Sequence, residues 1–314
     1  MPLRWRTLDK QSVQAWSELA NLLAEVDDTE EFHTPENLAE ELDEPSLDPA
    51  LDTWAVWEGT DRLVGFGQLR IRDGLNEGRA YAHLGGGVHP EFRGQGIGGR
   101  LLDLMQERAR ERSAQRHPGI AVTMNVDGGL EGDPVRRLLE RRGFSIVRYY
   151  HSMRRPYPGP QLEEPMAAVE PYRPEFNRAL HRAHNDAFAT HFAFAPASEV
   201  EWDHRMESRT FRPEATYVVR GDDGAIKAYV MSYCYVDKEL YVGRVGTVQA
   251  ERRKGYARSC LLAVLRAGLD QGYTQADLDV DSSNPTGAGA LYESAGFIRR
   301  KTYASYDKVF DVLR

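Results

Sequence analysis

Two short glycine-rich turns combine the residue types that bind phosphate groups. Residues 93–98 read RGQGIG and residues 252–257 read RRKGYA, and both lie between a strand-like run and a helical pattern. The first N–H groups of a helix have no backbone partner and lie at the positive end of the helix dipole. Glycine lets an anion approach them because no Cβ stands in the way. Each turn is therefore predicted to hold a phosphate or pyrophosphate, aided by the flanking Arg and Lys side chains.

Other kinds of glycine turn fit less well. Residues 94–99 also match GxGxxG, the pattern of a dinucleotide site. That site follows the first strand of a parallel sheet, whereas this turn follows an antiparallel-looking meander and its second copy retains only RxxGxA. A Walker loop is excluded because no glycine run ends in GKS or GKT. A connection without a ligand is the plain alternative, and the presence of two equivalent turns argues against it.

The elements that position these turns occur twice, on either side of a proline-rich segment. Strand patterns lie at residues 54–58, 63–71, 81–88, 217–220, 227–236 and 240–248. Each turn is followed by a helix, an apolar run and a short helix that ends in Gly-Phe. The two arginines that open the turns and the two Gly-Phe pairs are separated by nearly the same number of residues. Such a repeat predicts two related domains.

The predicted fold class is therefore α/β (α+β), with two tandem domains. Helical patterns precede the strands in both halves, at residues 13–44 and 176–209. Each half is expected to form a mixed, mostly antiparallel sheet flanked by helices. Residues 1–155 and 166–314 are the predicted domains, and residues 156–165 the linker between them.

Composition and charge exclude several classes of partner. The 314 residues carry a net charge of −8, which argues against nucleic-acid binding because a phosphate backbone requires a basic surface. No apolar run approaches the roughly 18 residues of a membrane span, and the N-terminal segment lacks the apolar core of a signal peptide. Cys234 and Cys260 indicate buried thiols in a reducing compartment, so the protein is expected in the cytoplasm. The sequence does not specify an oligomeric state.

Three histidines in one helical pattern raise the question of a metal site. His181, His184 and His191 share a helical spacing, but neither HExxH nor a carboxylate at the usual distance accompanies them. They are therefore predicted to be solvated helix residues, and no metal is expected.

The two turns and their surroundings resemble a known family. VHPEFRGQGIGGRLL is similar to the cofactor-binding motif of the GNAT superfamily of acyltransferases, and TVQAERRKGYARSCLL is similar to a second copy of it. The segment DVDSSNPTGAGALYESAGF resembles the strand and helix that follow this motif, including Asn284 and Tyr292. The resemblance covers nearly the whole chain as a tandem pair.

The resemblance implies that acetyl-CoA is the cosubstrate. Its pyrophosphate would lie on a turn, and its pantetheine arm would lie along the preceding strand. The implied contact residues are Gly87, Val88, Arg93, Gly94, Gln95, Gly96, Ile97, Gly98, Gly99, Thr247, Val248, Arg252, Arg253, Lys254, Gly255, Tyr256, Ala257 and Asn284. Asn284 precedes a proline, and a role as a turn residue is an equally weighted alternative.

Acetyl transfer to an amine requires a neutral amine, a polarised carbonyl and a protonated leaving thiolate. Tyr292 stands where the family places the acid, and a phenol can protonate a thiolate. Leu139 occupies the matching place in the first half and cannot donate a proton. The second domain is thus the expected catalytic domain, and the first is expected to bind cofactor without catalysing. Glu239 is the candidate base, with water as an alternative, and His83 is more simply a packed or surface histidine.

The predicted function is direct N-acetyl transfer from acetyl-CoA to the primary amine of a small molecule. A structural role for Tyr292, packed on the sheet, is the plain alternative. At the level of the whole protein, the alternative is an acyl-CoA-binding sensor or scaffold without transferase activity. The sequence contains no motif that identifies the acceptor amine.

Overall fold

The fold was analysed in a computed structural model, which describes residues 2–284 and 286–311. In chain order the strands are β1 (Leu3–Arg6), β2 (Thr53–Glu58), β3 (Arg62–Ile71), β4 (Ala80–Val88), β5 (Val122–Asp127), β6 (Ser145–Pro156), β7 (Glu170–Pro171), β8 (Tyr217–Arg220), β9 (Ile226–Tyr233), β10 (Glu239–Thr247), β11 (Gln275–Asp281) and β12 (Ile298–Phe310). The helices are α1 (Val13–Val26), α2 (Pro35–Glu41), α3 (Pro49–Asp52), α4 (Ile97–Arg116), α5 (Pro134–Arg141), α6 (Asn177–Phe188), α7 (Glu199–Glu207), α8 (Tyr256–Asp270) and α9 (Ala288–Ser294).

The chain divides into two compact units. Unit 1 contains the residues up to 149 together with those from 303 onward, and unit 2 contains residues 150–302. The strand order is β1-β2-β3-β4-β5-β12 in unit 1 and β6-β11-β10-β9-β8-β7 in unit 2. Within each unit the pairing is antiparallel except at β4–β5 and β10–β11, which are parallel. The predicted mixed, mostly antiparallel sheet is thus confirmed for both halves.

Helices cover both faces of the sheet in unit 1. Leu101, Leu102, Met105 and Ala109 recur at helical spacing, and α4 buries them against β3, β4 and β5. On the other face α1 and α2 bury a second cluster that includes Trp16. The strand end that carries the first glycine turn is less covered, and Gly86 is exposed.

Unit 2 follows the same plan with a more apolar main helix. Nearly every residue of the middle of α8 is buried, including Cys260, whose thiol pKa is raised by burial to about 12. The opposite face of the sheet is covered by α6 and α7, whose buried residues include Leu180 and Trp202. Cys234 is half-buried, and both cysteines are free thiols.

The last strand of each repeat pairs in a way that the sequence did not indicate. Residues 305–310 of β12 pair with β5 in unit 1, and residues 150–156 of β6 pair with β11 in unit 2. The sequence pattern gives the order of the strands but not the partner of a terminal strand. Residues 157–165, in the predicted linker, lie within unit 2.

Candidate functional site

The glycine turn of unit 1 leaves the start of α4 accessible. Gly94 and Gly96 have φ angles of 74° and 85°, a left-handed conformation that L side chains rarely adopt. A Cβ added at either position would meet no atom within 4 Å. The first N–H groups of α4, from Ile97 onward, therefore have open space beside them in which an anion can be bound.

The turn of unit 2 has the same backbone shape with different side chains. Gly255 has a φ of 76°, and Arg253 adopts a φ of 63° where unit 1 has Gly94. A Cβ on Gly255 would lie 2.7 Å from Cε of Met166. Met166 is 75% exposed, so it is the flexible end of a surface side chain that adjoins this turn.

The arginines that open the turns contact helix ends. The two Nη atoms of Arg93 donate to the carboxylate of Asp27 at 2.7 and 2.6 Å, and its Nε donates to the carbonyl of Val88. Nη2 of Arg252 donates to the carbonyl of Ala187 at 2.9 Å. Both guanidinium groups fix the turn to the preceding helical layer. The sequence could not identify these partners because they lie about 65 residues away.

Several other predicted contact residues have evident structural partners. Lys254 pairs with Glu251 at 2.8 Å. Asn284 accepts hydrogen bonds from the N–H and hydroxyl of Thr286, the arrangement of a turn residue. The remaining residues lie on the turns or beside them: Gly87, Val88, Gln95, Ile97, Gly98, Gly99, Thr247, Val248, Tyr256 and Ala257.

The strands that lead into the turns differ between the units. In unit 1, β4 pairs with β3 without a register shift from Ala82 to Val88. In unit 2, the pairing of β10 with β9 shifts between Val242 and Arg244, which makes Gly243 the extra residue of a β-bulge. The parallel pairing of β10 with β11 also stops just before this bulge. The backbone at Gly243 is therefore outside both ladders and can donate to a ligand.

Tyr292 lies on α9 inside the core of unit 2. Its side chain is 7% exposed, and its ring packs edge-on against Phe297 at 6.0 Å between centroids. The structure gives its hydroxyl no hydrogen-bond partner among the described residues. Burial raises the pKa of Tyr292 above its usual range, so the phenol stays protonated at neutral pH. Leu139, at the matching place in unit 1, is 1% exposed and purely apolar.

A polar aromatic cluster lies on the face of unit 2 that α6 and α7 cover. Nδ1 of His184 is 2.8 Å from the hydroxyl of Tyr229, whose ring occupies the space next to Gly246 of β10. Burial, followed by the charges of Arg205 and Arg244, lowers the pKa of His184 to about 2. His184 is therefore neutral under ordinary conditions.

The prediction that the three histidines are solvated is wrong for two of them. His181 and His184 are buried in α6, and Nε2 of His181 lies 2.8 Å from the carbonyl of Ala197. Both rings contact Trp202, with centroids at about 5 Å. His191 lies beyond the end of α6, and burial, with Arg252 nearby, lowers its pKa.

Glu239 is the first residue of β10 and lies at the opposite end of this strand from Thr247. Leu240 and Val242 pack into the core beneath α8, so alternation places Glu239 with Tyr241 on the other face. The hydroxyl of Tyr241 donates to Asp279 of β11 at 2.9 Å. The predicted base and this tyrosine thus share the face that holds the polar aromatic cluster.

The corresponding face of unit 1 combines an apolar region under α1 with Arg70, whose guanidinium is paired with Glu41 and Glu44. Leu23 of α1 occupies the space next to Gly87, and Trp16 packs against Phe66 at 5.8 Å. His83 has a partner in the sheet, because its Nδ1 lies 3.2 Å from Oδ1 of Asn125. This histidine is held by a neighbouring strand, in agreement with its interpretation as a packed residue.

Residues 2–284 and 286–311 contain neither a metal-binding cluster nor a membrane-spanning helix. No three His, Cys, Asp or Glu side chains come together in a group that could hold a metal ion. None of the helices in these ranges combines the length and apolar character needed to cross a bilayer.

Comparison with protein families identifies both halves of the chain. Residues 16–144 and 177–297 each match the profile of the acetyltransferase (GNAT) family. Each match contains one glycine turn and the short helix that follows it.

Known proteins resemble the chain over most of its length. The mycothiol acetyltransferase of Thermobispora bispora is 30% identical over 76% of this chain and 78% of its own. A GCN5-related N-acetyltransferase from Sphaerobacter thermophilus superposes with a TM-score of 0.77 at 22% identity, covering 98% of this chain and 96% of that one. A tandem GNAT protein from the clavulanic acid biosynthesis pathway gives a TM-score of 0.69 at 17% identity, with 98% of both chains covered.

Proposed function

This chain belongs to the acetyltransferase (GNAT) family and is an acyltransferase, and from that premise we propose that unit 2 transfers an acetyl group from acetyl-CoA to a primary amine of a small molecule. The domain roles proposed are catalysis in residues 166–314 and cofactor binding without catalysis in residues 1–155, joined by residues 156–165. The two free cysteines fit a reducing compartment, and the proposed location is the cytoplasm.

The turn of unit 2 fits the pyrophosphate of acetyl-CoA. The left-handed Gly255 directs the chain into α8, whose first N–H groups face outward with the positive end of the helix dipole. Arg253 and Lys254 add cationic charge at an exposed position. Entry of the cosubstrate requires the Met166 side chain to move, which an exposed thioether can do at little cost.

The proposed reaction is a direct transfer. The amine nitrogen attacks the carbonyl carbon of the thioester, and the N–H of Gly243 at the bulge donates to the oxygen on which charge develops. As the C–S bond breaks, Tyr292 donates its phenolic proton to the departing sulfur. The proton lost by the amine passes to Glu239 through water, because Glu239 is several residues from the bulge.

The observation that carries this proposal is the state of the Tyr292 hydroxyl. The ring is buried, but the hydroxyl has no protein partner among the described residues and is not one of the buried polar atoms that are cut off from solvent, so a ligand can reach it. Its raised pKa keeps the phenol protonated at neutral pH, so the proton is in place when the thiolate departs. Leu139 offers unit 1 no such group.

The test is amine-dependent thiol release by the full chain. Purified protein is incubated with acetyl-CoA and a panel of primary amines, with amines related to mycothiol first because of the named relative. Free thiol is measured with a chromogenic disulfide and the acetylated amine by mass spectrometry. We expect both products in equal amounts. Binding of acetyl-CoA without thiol release from any amine would overturn the proposal in favour of a sensor or scaffold.

A further inference from the structure

Arg244 holds a distinctive position in β10. It directly follows the bulge residue Gly243. The ring of Tyr233 lies next to Gly243 and the ring of Tyr229 next to Gly246, at 2.6 and 2.4 Å from the positions where a Cβ would be. Val245 packs toward α8, so alternation places Arg244 on the face that holds the two tyrosines. The guanidinium group therefore emerges between two aromatic rings, one residue from the proposed oxyanion donor.

The hydrogen bonds of Arg244 leave most of its donors for a ligand. Its one hydrogen bond within the described residues runs from Nη1 to the carbonyl of Gly243, at 2.7 Å. No carboxylate of the described residues forms an ion pair with it. A guanidinium has five N–H donors in a fork that matches a carboxylate or a phosphate. A half-buried cation without a counter-ion is unfavourable, and an anionic ligand would remove that penalty.

A second cation faces the same cluster. Arg205 of α7 lies over Trp202, with 5.7 Å between its guanidinium carbon and the ring centroid, and Trp202 in turn contacts His184. The charges of Arg205 and Arg244 both act on His184 and on Tyr229. The groups that lower or raise the pKa of His184 include no carboxylate. The cluster is therefore lined by aromatic rings and flanked by two cationic side chains.

Acidic groups lie on the neighbouring strand of the same face. Asp279 of β11 accepts from Tyr241, and the charge of Arg244 also reaches Tyr241. A small molecule beside the bulge would thus have cations on one side and carboxylates on the other. An ammonium group fits the acidic side, and an anionic group fits the side of Arg244.

We propose that the acceptor of unit 2 is an amine that also carries an anionic oxygen group, a carboxylate or a phosphate, which Arg244 binds with Arg205 close by. This inference rests on the proposed function and specifies its substrate class. Counting back from the turns, Gly85 of β4 stands where unit 2 has Arg244, so unit 1 has no equivalent group.

The first experiment compares matched acceptors that differ in the anionic group. Glucosamine 6-phosphate is paired with glucosamine, and β-alanine with β-alaninamide, at one pH with correction for the ionised fraction of each amine. A charge-assisted hydrogen bond is worth about 1.5–3 kcal/mol, which corresponds to about 10- to 100-fold in kcat/KM. We expect one anionic member to be preferred by that factor, and the preferred pair distinguishes a phosphate from a carboxylate.

Two variants test the role of Arg244 itself. Arg244→Gln is expected to bring the preferred pair to near parity while the KM for acetyl-CoA changes less than about two-fold. Arg244→Lys should retain part of the preference because it retains the charge. Arg266→Gln removes the same charge from α8, on the other side of the sheet, and should leave the preference unchanged.

A binding measurement gives the inference a readout besides turnover. Thermal stabilisation of the full chain by the anionic member, absent with its neutral partner and lost in Arg244→Gln, would support it. Amine-dependent thiol release without preference for any anionic member would overturn this inference and leave the proposed function intact. If no amine causes thiol release and no anionic acceptor selectively stabilises the protein, both the inference and the proposed function are overturned.

Discussion

Unit 1 and unit 2 carry the same glycine turn on the same order of elements, yet they differ wherever acyl transfer needs a chemical group. Strands β4 and β10 are each nine residues long, and Ala80 opens the first where Glu239 opens the second. Leu139 in unit 1 replaces the buried phenol of Tyr292. Unit 1 also lacks the bulge that frees a backbone donor in β10. The comparison predicts that anion binding at a helix start and the chemistry of transfer are separable in this fold.

The sheet faces opposite α4 and α8 also differ between the units. In unit 1 Leu23 packs next to Gly87, Trp16 packs against Phe66, and Arg70 is paired with Glu41 and Glu44. In unit 2 the same side buries His184 and Tyr229, a pair held together by a hydrogen bond. The two sides therefore differ in the polar groups that they hold, which are an ion-paired arginine in unit 1 and a histidine–tyrosine pair in unit 2.

The largest effect is expected from Tyr292→Phe, which removes one hydroxyl and little volume. Loss of a positioned acid should lower kcat by about 10²-fold or more, with the KM for acetyl-CoA nearly unchanged. Tyr306→Phe is the matched control in unit 1, since that tyrosine is also buried and its hydroxyl contacts Glu140 at 3.1 Å. In steady-state kinetics, kcat of the control variant should change by no more than about two-fold. An equal loss of kcat in the two variants would contradict a special role for the phenol of unit 2.

The next effect concerns the base. Glu239→Gln is expected to lower kcat/KM by about 10²-fold at pH 7, since the amide cannot accept the proton. His191→Asn is the competing variant, because burial lowers the pKa of His191 and keeps the imidazole neutral and able to accept a proton. Profiles of kcat/KM against pH for both variants identify which residue acts as the base. A larger loss in His191→Asn than in Glu239→Gln would transfer the role of base to the histidine.

A smaller effect is expected from a carboxylate introduced at each turn. Gly255→Glu and Gly96→Glu are matched, because both positions have a positive φ and carry similar backbone strain. Gly255→Glu should raise the KM for acetyl-CoA by about 10- to 100-fold through repulsion of the phosphates. Gly96→Glu should abolish one binding event in calorimetry while turnover at saturating acetyl-CoA persists. Loss of turnover in folded Gly96→Glu would locate catalysis in unit 1.

The smallest effect tests a residue that differs between the turns. Arg253 adopts a left-handed conformation that costs a non-glycine residue about 1 kcal/mol, whereas Gly94 adopts it freely. Arg253→Gly is expected to raise thermal stability slightly and to raise the KM for acetyl-CoA a few-fold, through loss of the cation. Differential scanning calorimetry and kinetics measure both. An unchanged KM would mean that this arginine does not contribute to cosubstrate binding.

Local patterns predicted most of the elements correctly. The strand at 217–220 is confirmed as β8, and the two glycine turns lie between a strand and a helix as expected. These features depend on alternation, on helical spacing and on glycine, all of which can be read over a few residues. The family resemblance was likewise carried by short motifs, and the family profile confirms it.

The sequence failed where the answer depended on distant partners. It could not show that Asp27 accepts hydrogen bonds from both Nη atoms of Arg93. It predicted solvated histidines because it could not show that Trp202 and Tyr229 cover His181 and His184. It also passed over Arg244, because an arginine on a strand becomes informative only when its surroundings lack a counter-ion.

The position of β12 in unit 1 has a consequence for synthesis on the ribosome. Residues 305–310 pair with β5, so the strand that completes unit 1 is translated after all of unit 2. Domains usually fold in the order in which they emerge, but here the unit that begins first can finish only last. Until then the edge of β5 is an unpaired strand of the kind that invites aggregation. Nascent chains arrested before residue 303 should therefore depend on chaperones more than the full-length protein does.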